Sequence, residues 1–182
     1  MFIKNKKGVG VGQVFIFIVA ALTFALILLF GYRTITGFLK SGEDVAFVQF
    51  KTSLESSVKK LYTEFGSVRV EKYTTPLTYT QICFVNLDKP YNPDGEELCN
   101  LDPVACSVWK SASDSGKGYE GADENVFLTP PAPVKIKIYR ISIDPAEKRD
   151  FVCIPIKQGL FSVVMEGRGD KTQLSRVSAP SG

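Results

Sequence analysis

The chain has 182 residues, 45% of them hydrophobic and 23% charged, and its formal charge is only +3. Lys4, Lys6 and Lys7 precede Gly8 and no acid does, so of the 22 basic residues 19 remain after the leader, against 19 acids. A chain balanced everywhere but at its tip has no gathered basic face for nucleic acid, and with no histidine anywhere it lacks the commonest general base and metal ligand.

The first element is an apolar run, Val14 to Tyr32, in which only Thr23 is plainly polar, and no charge occurs between Lys7 and Arg33. At about 1.5 Å per residue, a helix over Gln13 to Tyr32 is roughly 30 Å long, the thickness of a bilayer's hydrocarbon core. A core helix of a soluble domain is the competing reading, and a small head rarely buries such a run on every side. The lysines before the run outweigh its far flank, where Arg33 and Lys40 are followed by Glu43 and Asp44. This predicts a cytoplasmic N-terminus and an extracytoplasmic head. A secretory signal is shorter and ends in an A-x-A-like site, and no such site follows here.

Lys6-Lys7-Gly8-Val9 before an apolar helix resembles the class III signal peptide of type IV prepilins, especially archaeal pilin-like proteins. In that family a prepilin-type peptidase cuts after the glycine and leaves the helix attached, first as a membrane anchor and later as a filament core. The resemblance implies Lys7 and Gly8 as the recognition pair, Val9 as the new N-terminus and Gln13 as the fifth mature residue. Bacterial relatives usually carry Glu at that position; Gln13 can accept a hydrogen bond from a neighbouring subunit's terminal amine but cannot neutralise it. Gly10 and Gly12 each cost about 1 kcal/mol in a helix, which places its start nearer Gln13. The alternative reading of the same residues is the cytoplasmic tail of an uncleaved anchor.

After Gly37 and Gly42 the pattern turns amphipathic. Phe47, Phe50, Leu54, Val58, Leu61 and Phe65 recur at helical steps, with Lys51, Glu55, Lys59, Lys60 and Glu64 on other faces. Ser41 with Asp44 resembles a capping-box start, Gly66 a stop, and Glu55 to Lys59 a favourable i,i+4 pair. The organisation expected is therefore a leader over 1–8, a membrane helix and juxtamembrane segment over 9–40, an amphipathic helix over 41–66 and a β-rich head over 67–182. An anchor helix that packs under a β-rich head extends the pilin resemblance.

In the head, Ser67–Thr74, Leu77–Leu87, Val134–Ile143, Phe151–Ile156, Leu160–Glu166 and Thr172–Val177 have strand composition. VKIKIYRI within Val134–Ile143 alternates most cleanly, which predicts a strand with one wet face in a mainly antiparallel sheet. The last two strands form a hairpin across Gly167-Arg168-Gly169-Asp170, where the adhesion-like tripeptide reads as a turn. Residues 88–133 read mostly as loop, with a short helix over Asp102–Lys110. The fold class expected is α+β.

Cys83, Cys99, Cys106 and Cys153 fall on the extracytoplasmic side, where disulfides persist. The pairs Cys99–Cys106 and Cys83–Cys153 are favoured among three connectivities. A four-thiolate zinc site competes, but fifteen, six and forty-six residues separate successive cysteines and no C-x-x-C knuckle occurs. Glu96-Glu97 and Asp123-Glu124 are adjacent acids of the kind usually solvated, and no nucleophile or nucleotide motif occurs. Asp114, Glu120, Asp123, Glu124 and Asn125 offer oxygen ligands for Ca²⁺ without EF-hand spacing. No N-glycosylation sequon is present. No cofactor and no catalysis are expected. The function expected is a single-pass cell-surface protein, pilin-like or pseudopilin, with the bilayer, the peptidase and like subunits as partners. A tethered domain presenting its 88–133 loops to a ligand is the alternative.

Overall fold

The computed structural model describes residues 10–92 and 95–177; the side chains of Val11 and of residues 35–41 lie outside the description. The chain divides into two compact units, residues 1–44 and 45–182. Helix α1, Val11–Tyr62, runs without interruption from one into the other. The backbone stays helical through Gly37 and Gly42, so the capping-box-like pair Ser41 and Asp44 opens no separate helix.

In the second unit the rest of α1 turns one stripe inward. Phe47, Phe50, Leu54, Val58 and Leu61 are all buried. Phe65, expected on the same stripe, lies beyond the helix end and is 79% exposed. Glu55 meets Lys51 at 3.9 Å rather than Lys59, and Lys59 and Lys60 stand in the last turn, where cations suit the helix dipole. Gly66, at φ +77°, supplies the left-handed residue that turns the chain into β1.

The head has two sheets. The first is four-stranded in the order β1 (Val68–Thr74), β6 (Leu160–Gly167), β7 (Thr172–Arg176), β4 (Ile141–Ile143), antiparallel except for the parallel β4–β7 pair. The second is antiparallel in the order β3 (Val126–Thr129), β2 (Gln81–Val85), β5 (Phe151–Pro155). Their burial patterns explain their compositions. On β6 the residues alternate, with Phe161, Val163 and Met165 inward and Ser162, Val164 and Glu166 outward, as expected of a sheet wet on one face. Strand β2 is buried from Ile82 to Val85, because the second sheet is covered on both sides. Its Ile82 and Phe84 join α1 and the first sheet in one core. Its Cys83 and Val85 join Leu98, Ala105 and Trp109 in another.

That second core corrects the reading of 88–133 as mostly loop, while the short helix expected over Asp102–Lys110 is present and longer. The segment forms α2 (Gly95–Leu101), α3 (Pro103–Asp114), a 3-10 turn (Gly118–Gly121) and β3. Asp102 caps α3, its carboxylate accepting from Val104 N and Ala105 N at 3.0 Å each, and Pro103 occupies the first turn, where its missing N–H costs nothing. Trp109, fully buried on α3, donates its indole N–H to Lys89 O at 2.9 Å, so its one polar atom is satisfied.

The segment 134–143 is a second correction, because only Ile141–Ile143 is strand. Ile136 and Ile138 are nonetheless buried. Val126 bridges to Ile136, and the buried Asn125 side chain accepts from Ile138 N at 2.9 Å and donates to Ile138 O at 3.2 Å. One amide side chain thus does for Ile138 what a neighbouring strand would do, so the alternating pattern is satisfied without a strand.

The end of α1 and the β6–β7 hairpin touch backbone to backbone. Gly66 N donates to Gly167 O at 2.8 Å, Gly167 N to Ser67 O at 2.9 Å, and the buried Thr172 hydroxyl to Val58 O at 3.0 Å. A Cβ on Gly167 would collide with the carbonyl oxygens of Leu61 and Glu64, and backbone cannot step aside as a side chain can. Gly167→Ala is expected to lower stability by about 3 kcal/mol or more, measured by urea unfolding of the purified chain followed by Trp109 fluorescence.

Candidate functional site

Of the residues singled out by the leader motif, Lys7, Gly8 and Val9 lie outside the described residues. Gln13 stands in the first turn of α1, exposed, its backbone N–H donating to Gly10 O at 2.8 Å. The helix begins at Val11, with Gly12 inside it rather than before it.

The segment Gly12–Thr34 is, among the described residues, the one helix long and apolar enough to cross a membrane, and it is bare within the structure. Phe15, Ile16, Phe17, Phe24, Ile27 and Phe30 all expose more than half of their surface. Its two threonine hydroxyls bond within the helix. Thr23 donates to Val19 O at 3.0 Å and lies 2.9 Å from Ala20 O, and Thr34 donates to Phe30 O at 2.8 Å. Such back-bonding to the preceding turn leaves neither threonine hydroxyl seeking water.

In the head the four cysteines form two disulfides, Cys83–Cys153 and Cys99–Cys106, and no free thiol remains. The first staples β2 to β5 at directly opposed positions. Ile156 N donates to Thr80 O and Asn86 N to Asp150 O, which makes Phe84–Val152 and its even-numbered neighbours the hydrogen-bonded pairs. Cys83 and Cys153 fall between them, in a non-hydrogen-bonded pair where opposed residues approach most closely. Pro155 also sits in that class, on an edge strand, so its absent N–H breaks no ladder bond to β2. The second disulfide joins α2 to α3 around the Asp102 cap.

The acidic residues offered for Ca²⁺ are dispersed. Glu120 pairs with Arg140 at 2.7 Å and Asp123 with Lys135 at 3.1 Å, while Asn125 is spent on Ile138. Among the described residues no three acidic or thiol side chains gather as a metal-ligand group. Glu97 pairs with Arg149 at 2.8 Å. Arg168 of the adhesion-like tripeptide is tied to Gln173 at 3.0 Å and Glu166 at 3.1 Å, and Arg168 N donates to Lys171 O to close the turn.

What sequence reasoning missed is the knot around Arg140. The guanidinium bridges Asp88 and Glu120, at 3.1 and 2.7 Å, and lies over the Tyr119 ring, which Lys137 approaches at 4.3 Å. Tyr119 donates its hydroxyl to Ile138 O at 3.0 Å, and burial pushes its pKa up. The hydrogen bond from Arg140 to Glu120, and then the charge of Asp88, hold the guanidinium above its ordinary value. These contacts stitch the helical insert to segment 134–143. Spacing within one segment carries no trace of partners 20 and 52 residues away.

Glu124 lines a cleft of about 300 Å³ between the start of α3, β3 and the 131–135 loop, with Val104, Leu128, Pro131 and Val134 as apolar wall. Comparison with family models, with curated proteins and with solved structures finds no match to this chain.

Two expectations follow. In the chain-entropy account, a 70-residue separation against a 7-residue one makes Cys83→Ala/Cys153→Ala cost about 4 kcal/mol and Cys99→Ala/Cys106→Ala about 2 kcal/mol, measured by urea unfolding. Desolvation in the apolar cleft, opposed by Lys135, raises the Glu124 pKa. A raised carboxyl binds its proton more tightly in the folded state, so stability falls as pH rises through the carboxylate range. Glu124→Gln should therefore stabilise the head at neutral pH, with the gain vanishing in acid below the ordinary Glu pKa; thermal melts across pH 3–8 measure it.

Proposed function

We propose that this protein is a single-pass membrane-anchored protein of the cell surface, a pilin-like subunit or pseudopilin of archaeal type that works by filament assembly or adhesion. Its N-terminus is cytoplasmic and its head extracytoplasmic. The observation that carries this reading is the division of labour along one helix. Up to Thr34 α1 offers bare apolar surface, and from Phe47 it offers a buried stripe to a head. A helix of that kind is anchored by its first part and carries its cargo on its second. The two disulfides agree with an oxidising compartment, and the Lys7-Gly8 pair before the helix supplies the processing motif.

In this reading lipid holds α1 until like helices replace it, the prepilin-type peptidase cuts between Gly8 and Val9, and Gln13 lies at the new helix tip to accept from a neighbour's terminal amine. The head performs no catalysis, and its exposed surfaces make the contacts. The second reading, an unassembled tethered domain that binds a ligand or protein, is favoured by the clefts of the head and keeps the helix in lipid.

Edman sequencing of the membrane-purified protein from cells that contain the peptidase tests the first reading. A terminus at Val9 is expected. An intact Met1 or Phe2 terminus would remove it and leave the tethered domain, and filaments in sheared surface material, viewed by electron microscopy, would decide against the tethered form.

A further inference from the structure

Lys89, Lys148, Arg149 and Lys171 come together around one cleft of the head, about 310 Å³ in volume, with Asp150 as the only acid in its lining and Ser142 as a neutral donor. Beyond the leader the chain is balanced in charge, so four cations to one anion at a single concavity is a local concentration rather than a reflection of composition. By contrast, the cleft that contains Asp123 and Lys135 neutralises itself through their ion pair.

The acid in the lining is already engaged. Asp150 accepts from the Asn92 side chain at 2.9 Å, and its carbonyl accepts from Asn86 N. Arg149 leans on Glu97 at 2.8 Å and Lys171 on Asp170 at 4.0 Å, whereas Lys89 and Lys148 form no ion pair among the described residues. Their ammonium groups, each with three donors, are thus available at the rim.

The backbones that carry these side chains are held in place. Lys89 N donates to Asn86 O, and Lys89 O receives the Trp109 indole. Lys148 closes the 3-10 turn Pro145–Glu147 in a left-handed conformation at φ 57°, its N–H donating to Pro145 O at 3.0 Å. Lys171 O receives Arg168 N in the β6–β7 turn. Three separate turns therefore fix the origins of the cations, so a ligand need order only side chains and not loops.

We propose that this cleft is a binding site for an oxyanion-bearing ligand of sugar size, a phosphorylated or similarly anionic saccharide, held by charge-assisted hydrogen bonds from Lys89 and Lys148 with Arg149, Lys171 and Ser142 around it. The volume lies at the lower end of small-molecule sites, which suits a monosaccharide unit rather than a large cofactor. The site is independent of whether α1 is processed or assembled.

The test titrates the full chain in a non-ionic detergent with glucose 6-phosphate, inorganic phosphate and uncharged glucose, read by isothermal calorimetry at low and high salt. Glucose 6-phosphate is expected to bind, glucose not to bind, and affinity to fall with salt. K89A/K148A is expected to weaken binding by about tenfold or more, while K59A/K60A, which removes the same charge from the exposed face of α1, leaves it unchanged. Inorganic phosphate that binds as well as the phosphosugar, or no binding of glucose 6-phosphate at all, would overturn the saccharide assignment. Binding untouched by K89A/K148A, weakened equally by K59A/K60A, or shared by glucose would overturn the proposal.

Discussion

The head depends on the stripe that the second part of α1 turns inward. Phe47, Phe50, Leu54, Val58 and Leu61 are each buried to 5% exposure or less, and each contributes about 1.5–3 kcal/mol of apolar burial. Phe50 meets the edge of both Tyr73 and Phe161, whose own rings stack at 5.3 Å. Burial pushes the Tyr73 pKa up to about 12, so that phenol stays neutral at any physiological pH. Among the described residues no other helix covers the inner face of the first sheet, and the close approach of Gly167 fixes how near the end of α1 can lie. A shorter stripe would leave Met165 and Leu174, both fully buried, without a roof.

From this layer the second sheet acquires its double burial. Because Ile82 and Phe84 already face α1 and the first sheet, Cys83 and Val85 must face the other way, into a space that only the helical insert can fill. The insert is therefore structural before it is anything else: Trp109 fills the second core, and Asp102 and the Cys99–Cys106 link hold α2 to α3 across a turn. Arg140 then joins insert and body from outside. Its partners Asp88 and Glu120 are exposed enough that each ion pair is worth little alone, but both share one guanidinium, which also lies over Tyr119, and a shared donor restricts two segments at once.

Legibility in the sequence followed the range of the interaction. The helical stripe from Phe47 to Leu61, the β6–β7 hairpin around its glycines and the Asp102 cap are local patterns, visible in spacing and turn chemistry. What resisted were features whose meaning lies far along the chain. Alternation over Val134–Ile143 promised a strand, and Asn125 satisfied the backbone instead. Pro and Gly between 88 and 133 promised loop outside Asp102–Lys110, whereas Gly95–Leu101 forms a further helix and Gly118 packs against Leu87 O at φ +53°. Phe65 matched the helical period and still fell outside, because Gly66 ends the element first. The basic cleft was invisible for the same reason: Lys89, Lys148 and Lys171 belong to three turns, and only the fold brings them together.

The bare part of α1 poses a condition that the head does not. An apolar surface of this extent is not left in water by a stable protein, so some apolar surrounding must cover it, and both lipid and a sheath of like helices make the same demand on the sequence. Each requires that no polar group be left seeking water, and Thr23 meets that demand by bonding to its own helix. Each also requires that charges stay at the margins of the covered length, as Lys7 and Arg33 do on either side of the run from Val14 to Tyr32. They differ at the tip. In lipid the first turn lies at an interface where water completes its N–H groups, whereas among packed helices those groups must find partners from the protein. Gln13 is the first residue of α1 whose side chain can accept such a bond.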